Sequence, residues 1–133
     1  MKYVFEANSG KKRTRVNAVA ILLKNGLVVC IYGGASHVGA VAVAIPRAGL
    51  DQSKKHISVT SSVLTLVGHK DDVVARNAAE TIAKHLDKVT TVTAGIHVEH
   101  ATRAEIRTLI ANSNRCVASL LNRISNVSRR KSR

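Results

Sequence analysis

The sequence predicts an α+β domain: a mainly antiparallel sheet of about six strands with two helices on one face. Segments that alternate apolar and polar residues, or that run apolar between glycines, fill most of the first two-thirds of the chain. Two later segments repeat their apolar residues at helical spacing. A length of 133 residues fits one such domain and is too short for two domains with separate cores.

Six segments have the pattern of β-strands. In residues 13–23 apolar side chains alternate with others, which is typical of a strand with one wet side. Lys24-Asn25-Gly26 follows and predicts a hairpin with a type I′ turn, because Asn-Gly readily takes positive φ values. Pro46 is expected to end the fourth strand. The six expected strands are residues 3–8, 13–23, 27–32, 40–45, 56–67 and 89–94.

Two segments predict helices. Asp71 or Asp72 caps the first, whose apolar positions from 74 to 86 are rich in alanine and favour close packing. Thr102 and Glu105 form a capping box ahead of the second. We expect residues 1–127 to form one domain and residues 128–133 to form a basic, flexible tail. The second helix should bury one apolar stripe, made of Ile106, Leu109, Ile110, Val117, Leu120, Leu121 and Ile124.

One face of the expected sheet lacks a cover. The strands 27–32 and 40–45 are apolar on both sides, which indicates that both faces of the sheet are buried. Two helices on one face leave the other bare. We therefore expect the chain to form a homodimer.

The chain is strongly basic, with a formal net charge of +13. Residues 1–24 hold six basic side chains and one acid, and residues 102–133 hold eight and one, whereas the middle is nearly neutral. The basic ends make nonspecific nucleic-acid binding an alternative function. The near absence of aromatic residues argues against an RNA module that stacks bases. The candidate phosphate contacts are Lys11, Lys12, Arg13, Arg15, Arg129 and Arg130.

Cysteine usage and the N-terminus favour a cytoplasmic protein. Cys30 and Cys116 lie far apart in apolar surroundings, so we expect both to be small buried residues in a reducing compartment. No apolar run of a signal peptide follows the basic start. Residues 25–46 carry no formal charge, but glycines interrupt them, which predicts two strands and no membrane span.

Three segments share an arrangement that suits an anion. In residues 33–39, 68–72 and 95–100 an apolar strand runs into glycine with a histidine close by. Glycines at strand ends let successive backbone N–H groups converge on an anion, and a helix N-terminus after residue 70 adds its dipole. The alternative is that these are tight turns that need glycine. The candidate ligand or phosphate contacts are Gly34, Ser36, His37, Gly39, Gly68, His69, Lys70 and His97.

Enzyme signatures are weak in this sequence. Gly34 and Gly39 have the spacing of P-loop glycines, but Ala40-Val41 stands where Lys and Ser/Thr are required. No catalytic residue is assigned, and Cys30 is expected to be inactive as a nucleophile. A metal-dependent enzyme stays an alternative, with imidazole ligands from His37, His69, His97 and His100 and an oxygen from Asp71, Asp72 or Glu99. We expect a protein that is not an enzyme, without an assigned metal site.

The glycine–histidine segments resemble a known family. The matching stretches are residues 37–42, 60–72, 94–98 and 101–106, of which Gly68-His69-Lys70-Asp71-Asp72 is the most specific. Over residues 15–125 the chain is similar to the prenylated-flavin chaperone-like family, typified by the small D subunit of gallate and hydroxyarylic-acid decarboxylases.

This resemblance implies a fold like that of small proteasome-assembly chaperones, a sheet with two helices that dimerises. It also implies a helper that binds prenylated flavin mononucleotide (FMN), or FMN, for a prenylated-flavin-dependent decarboxylase. By the same resemblance His37, His69, Lys70 and His97 line the ligand site, and Gly34 and Gly39 shape a phosphate loop.

Overall fold

The computed structural model describes residues 3–48, 57–66 and 71–133. These residues form six strands and two helices, with a short 3₁₀ turn at Lys12–Thr14 between the first two strands. In chain order the elements are β1 Val4–Ser9, β2 Val16–Leu22, β3 Gly26–Gly34, β4 Ala40–Ala48, β5 Ile57–Thr65, α1 Asp72–Leu86, β6 Val89–His97 and α2 Arg103–Lys131.

All six strands belong to one sheet, with the order β1-β2-β3-β6-β4-β5. The last strand, β6, returns after α1 and enters between β3 and β4. It pairs in parallel with β3 and antiparallel with β4, while every other neighbouring pair is antiparallel. The expected α+β class with six strands is confirmed, and the sheet is mixed because of this one parallel pair.

Both helices pack on the same face of the sheet. α1 lies over β4, β5 and β6, and α2 lies over β1 and β2. Small residues meet at the α1 contact, because Ala75, Ala79 and Ala83 on the helix face Ala42 and Ala44 among the buried residues of β4. Alanine on both sides lets the helix approach the sheet closely.

Among the residues that the structure describes, no helix covers the opposite face of the sheet. Strand register places Val19, Cys30, Thr93 and Val41 side by side across its middle. Cys30 is exposed there, so the expectation that both cysteines are buried is wrong for Cys30 and confirmed for Cys116. The reason is alternation: Val29 and Ile31 point into the core, so the residue between them points away from it.

The β2–β3 hairpin is present, but its turn is not of type I′. Leu23 N–H donates to the Gly26 carbonyl at 2.8 Å, and neither Asn25 nor Gly26 has a positive φ. Gly26 serves a different purpose, since a Cβ there would lie 2.6 Å from the carbonyl oxygen of Val89 in β6. Pro46 lies within β4 and does not end it, because beyond Ala44 that strand pairs only with β5.

α2 begins as predicted and ends later than predicted. Thr102 and Glu105 form both hydrogen bonds of the capping box. The helix continues to Lys131, so residues 128–131 are helical where we expected a tail. Extending a formed helix adds one hydrogen bond for each residue fixed, and arginine and lysine are good helix formers. Within the described residues, no helix combines the length and the apolar character needed to cross a membrane.

Candidate functional site

Three parts of the chain meet at the end of the sheet where β3 and β6 finish. The parallel register sets Gly34 beside His97. From there residues 35–39 cross the end of β6 to reach β4, with Ala35 N–H donating to the His97 carbonyl at 2.8 Å and Gly39 N–H donating to the Ala94 carbonyl at 2.9 Å. The start of α1 lies against the same place, through Asp71.

The carboxylate of Asp71 joins these three parts. Oδ2 lies 3.0 Å from Nε2 of His37, and Oδ1 accepts the backbone N–H of Ile96 at 3.0 Å. Asp71 occupies the N-cap position of α1, yet its side chain does not cap the helix. The residue is 6% exposed. The sequence predicted its position at the helix start and missed its use as a link between strand ends.

His37 faces an oxygen with each ring nitrogen. Nδ1 lies 3.1 Å from the carbonyl of Ala35, and Nε2 faces the Asp71 carboxylate. Only the imidazolium form donates from both nitrogens, whereas a neutral ring donates from one. The two oxygens therefore fix the orientation of the His37 ring between its own loop and Asp71.

Three glycines permit this close arrangement. A Cβ at Gly39 would overlap the Asp71 carboxylate, and a Cβ at Gly95 would overlap the His37 carbonyl. Gly34 has a φ of +60°, and a Cβ there would overlap the carbonyl of His97. Their role is thus close approach. We expected backbone N–H groups here to be free to bind an anion. The N–H groups of Ala35 and Gly39 instead donate to carbonyls of β6.

The predicted site residues are brought together in part. The rings of His37 and His97 lie 6.4 Å apart at an interplanar angle of 78°, and Ser36 is exposed on the same crossing loop. His97 is half-exposed, with Nε2 3.7 Å from a carboxylate oxygen of Glu99. Gly68, His69 and Lys70 lie outside the described residues.

A groove that the sequence did not reveal adjoins these residues. It is a cavity of about 410 Å³ lined by Asp71, by His97 and by aliphatic side chains from α1, the end of β6 and α2. Ile106 and Ile110, expected in the buried stripe of α2, are 48% and 40% exposed and line the groove. No local pattern in the sequence distinguishes these two residues from the buried positions, because both follow the periodicity of the stripe.

The metal hypothesis gains no support from this geometry. In the part of the chain that the structure describes, no three His, Cys, Asp or Glu side chains converge as a metal site requires. The imidazoles of His97 and His100 both turn toward Glu99, at 3.7 and 3.8 Å. His69 lies outside the described residues.

The candidate basic residues lie near the two ends of α2. Near the helix start, Arg13 Nε lies 3.0 Å from Glu105 Oε2, and Arg13 Nη2 donates to the Glu99 carbonyl at 2.7 Å. The hydrogen bond from Arg13 holds the pKa of Glu105 below its ordinary value. Lys11, Lys12 and Arg15 are exposed at this end, and Arg129 and Arg130 are exposed at the other.

Replacing Asp71 by alanine should destabilise the protein. Asp71→Ala leaves His37 and the Ile96 N–H without their carboxylate, which should lower the free energy of unfolding by about 1–3 kcal/mol. Urea denaturation measures the loss, and faster hydrogen exchange at the Ile96 amide locates it. Asp72→Ala, in the next position, is the matched control and should lower the free energy by about 0.3–1 kcal/mol. Equal losses in the two variants would show that Asp71 does not link the strand ends.

Comparisons with known proteins agree with the fold and identify the family of the chain. A crystal structure described as a novel chaperone complex for yeast 20S proteasome assembly contains a chain that aligns with a TM-score of 0.57 at 16% identity, covering 94% of this chain and 98% of that one. At this identity the similarity concerns the fold alone. No curated protein matches the sequence. The prenylated flavin chaperone LpdD-like domain matches residues 10–125, which include every described residue of the site, and the chain therefore belongs to that family.

Proposed function

We propose that this protein is an accessory protein without catalytic activity of its own, which binds prenylated FMN and supplies it to a prenylated-flavin-dependent decarboxylase. The family match over residues 10–125 carries this proposal. The segments around residues 37, 71 and 97, whose sequences resemble the family, also meet at one end of the sheet.

The residues at this end favour binding over catalysis. His37 is held by Asp71 and its own loop, so its ring acts as a fixed structural donor. Partial desolvation of the Cys30 sulfur by its neighbours, and burial of Cys116, raise the pKa of both thiols, which makes each a poor nucleophile at neutral pH. Their free state also fits a reducing compartment, which supports the cytoplasm.

His97 is the described side chain best placed to meet the ligand. Its ring is half-exposed at the mouth of the groove, and Ser36 offers a hydroxyl on the neighbouring loop. Gly68, His69 and Lys70 immediately precede Asp71 in the chain, and we include them in the proposed site on that ground. A ligand with a phosphate and a flat ring can use these polar groups at one end and the apolar groove at the other.

Binding of prenylated FMN tests this function. The unmodified protein should bind prenylated FMN in a titration followed by calorimetry, and His97→Ala should weaken the affinity about tenfold or more through loss of a polar contact. His85→Ala, an exposed histidine on α1, is the control and should bind as the unmodified protein does. Absence of binding in the unmodified protein, or equal affinity in His97→Ala, would contradict the proposal.

We infer further that two copies associate through the open face of the sheet. The middle of this face is formed by Val19, Ile21, Val28, Cys30, Thr91, Thr93, Val41 and Val43, and none of these side chains is charged. Two chains of net charge +13 can approach through such a face more easily than through a basic one. Six strands of six to nine residues, about 4.8 Å apart and about 20–30 Å long, give a face of roughly 600–850 Å², close to the area of about 800 Å² per partner that a stable dimer buries.

A charge in the middle of this face should separate the dimer. Analytical ultracentrifugation should give twice the 14.2 kDa mass of one chain for the unmodified protein and a single-chain mass for Val43→Lys. Thr81→Lys, a substitution of similar size at an exposed position of α1, should remain dimeric. A monomeric unmodified protein, or a dimeric Val43→Lys, would refute this interface.

Nonspecific nucleic-acid binding is the second candidate function, and one observation favours it. α2 runs back along β1, which places the basic residues 11–15 near the first half of the helix. Arg129 and Arg130 lie in its last turn, and Glu105 is its one acidic residue. The helix thus carries positive charge along much of its 29 residues.

Salt dependence tests this candidate. Short duplexes of unrelated sequence should bind equally well at 50 mM salt and lose roughly tenfold or more in affinity at 200 mM. The double variant Arg129→Ala, Arg130→Ala should lower the affinity for all the duplexes to the same extent, as measured by fluorescence anisotropy. No binding at 50 mM salt would eliminate the candidate.

A further inference from the structure

The apolar groove beside His97 is an unusual feature of this surface. Its walls come from the first turn of α1, the end of β6 and the first two turns of α2, represented by Val73, Ile96, Val98, Ile106 and Ile110. Val73 is 51% exposed, so with Ile106 and Ile110 three large aliphatic side chains face solvent around one opening. Clustered exposure of this kind marks a binding surface more often than scattered exposure does.

Hydrogen bonds fix the two helix starts that form walls of the groove. The start of α2 is fixed by its own capping box at Thr102 and by the hydrogen bonds of Arg13 to Glu105 and to the Glu99 carbonyl. The start of α1 is fixed to β6 by the hydrogen bond between Asp71 and the Ile96 N–H. Each of these two walls is thus held in place by a different part of the chain.

The polarity of the groove favours an uncharged occupant. Its two polar lining residues are Asp71 and His97, and the remaining lining is aliphatic. The Asp71 carboxylate would repel a phosphate placed inside the groove. A cavity of about 410 Å³ lies within the range of small-molecule sites, roughly 300–1,000 Å³.

We propose that this groove binds the ring end of the flavin and distinguishes the prenylated form from FMN by burying the added prenyl carbons. The assignment rests on the proposed function. It makes Ile106 and Ile110 specificity-determining residues, while the phosphate stays outside the groove. Aliphatic walls suit the prenyl carbons, which are apolar and non-aromatic, and burial of such carbons strengthens binding in proportion to the apolar area removed from water.

A comparison of two ligands tests the proposal. Calorimetry with prenylated FMN and with FMN should show the unmodified protein preferring the prenylated form by about tenfold or more. Ile106→Asn and Ile110→Asn replace exposed side chains, so the fold should persist, and each should remove most of that preference while changing the affinity for FMN by less than about threefold. Leu23→Asn, at the opposite end of the sheet and 52% exposed, is the matched control and should keep the preference.

The outcomes separate the groove from the wider function. If the unmodified protein binds neither flavin, both the proposed function and the groove assignment fail. If it binds prenylated FMN but Ile106→Asn and Ile110→Asn keep the full preference, the groove assignment alone is overturned. Loss of affinity for both flavins in equal proportion would also overturn it, because the groove would then not distinguish the prenyl group.

Discussion

Asp71 occupies the N-cap position of α1. Its carboxylate is hydrogen-bonded both to His37, in the loop that crosses the end of the sheet, and to the backbone of β6. This arrangement brings three strand and helix ends within hydrogen-bond distance of one side chain. It also sets a steric condition, because Gly39 and Gly95 have no room for a Cβ. The relative positions of His37 and His97, and of one wall of the groove, depend on that carboxylate.

Much of the fold was predictable from local patterns. Alternation identified the strands, helical spacing identified α1 and α2, and Thr102 with Glu105 marked the start of α2 correctly. The position of β6 between β3 and β4 was not predictable, since strand order depends on contacts distant in sequence and not on the pattern within a strand. The same limit explains Cys30: its neighbours are apolar on both sides, and only the sheet shows which face the helices cover.

The sequence indicated which segments form the site, but not how their side chains are arranged in space. Glycine next to histidine singled out residues 33–39 and 95–100, and the structure places His37 near His97. The sequence pattern predicts a helix cap at Asp71 or Asp72, because an acid before a helix commonly serves that purpose. The actual partners of Asp71 are 25 and 34 positions away in sequence, and no local signal reports them. Ile106 and Ile110 follow the periodicity of the buried stripe, so their exposure becomes visible only when the helices are assembled.

The coupling between His37 and Asp71 is the quantity that tests this account most directly. It is obtained from urea unfolding of the unmodified protein, His37→Ala, Asp71→Ala and the double variant. If the carboxylate holds the crossing loop through His37, the two losses are not additive and the coupling energy is about 0.5–3 kcal/mol. Additive losses, with a coupling energy near zero, would contradict the account, because His37 and Asp71 would then contribute to stability independently.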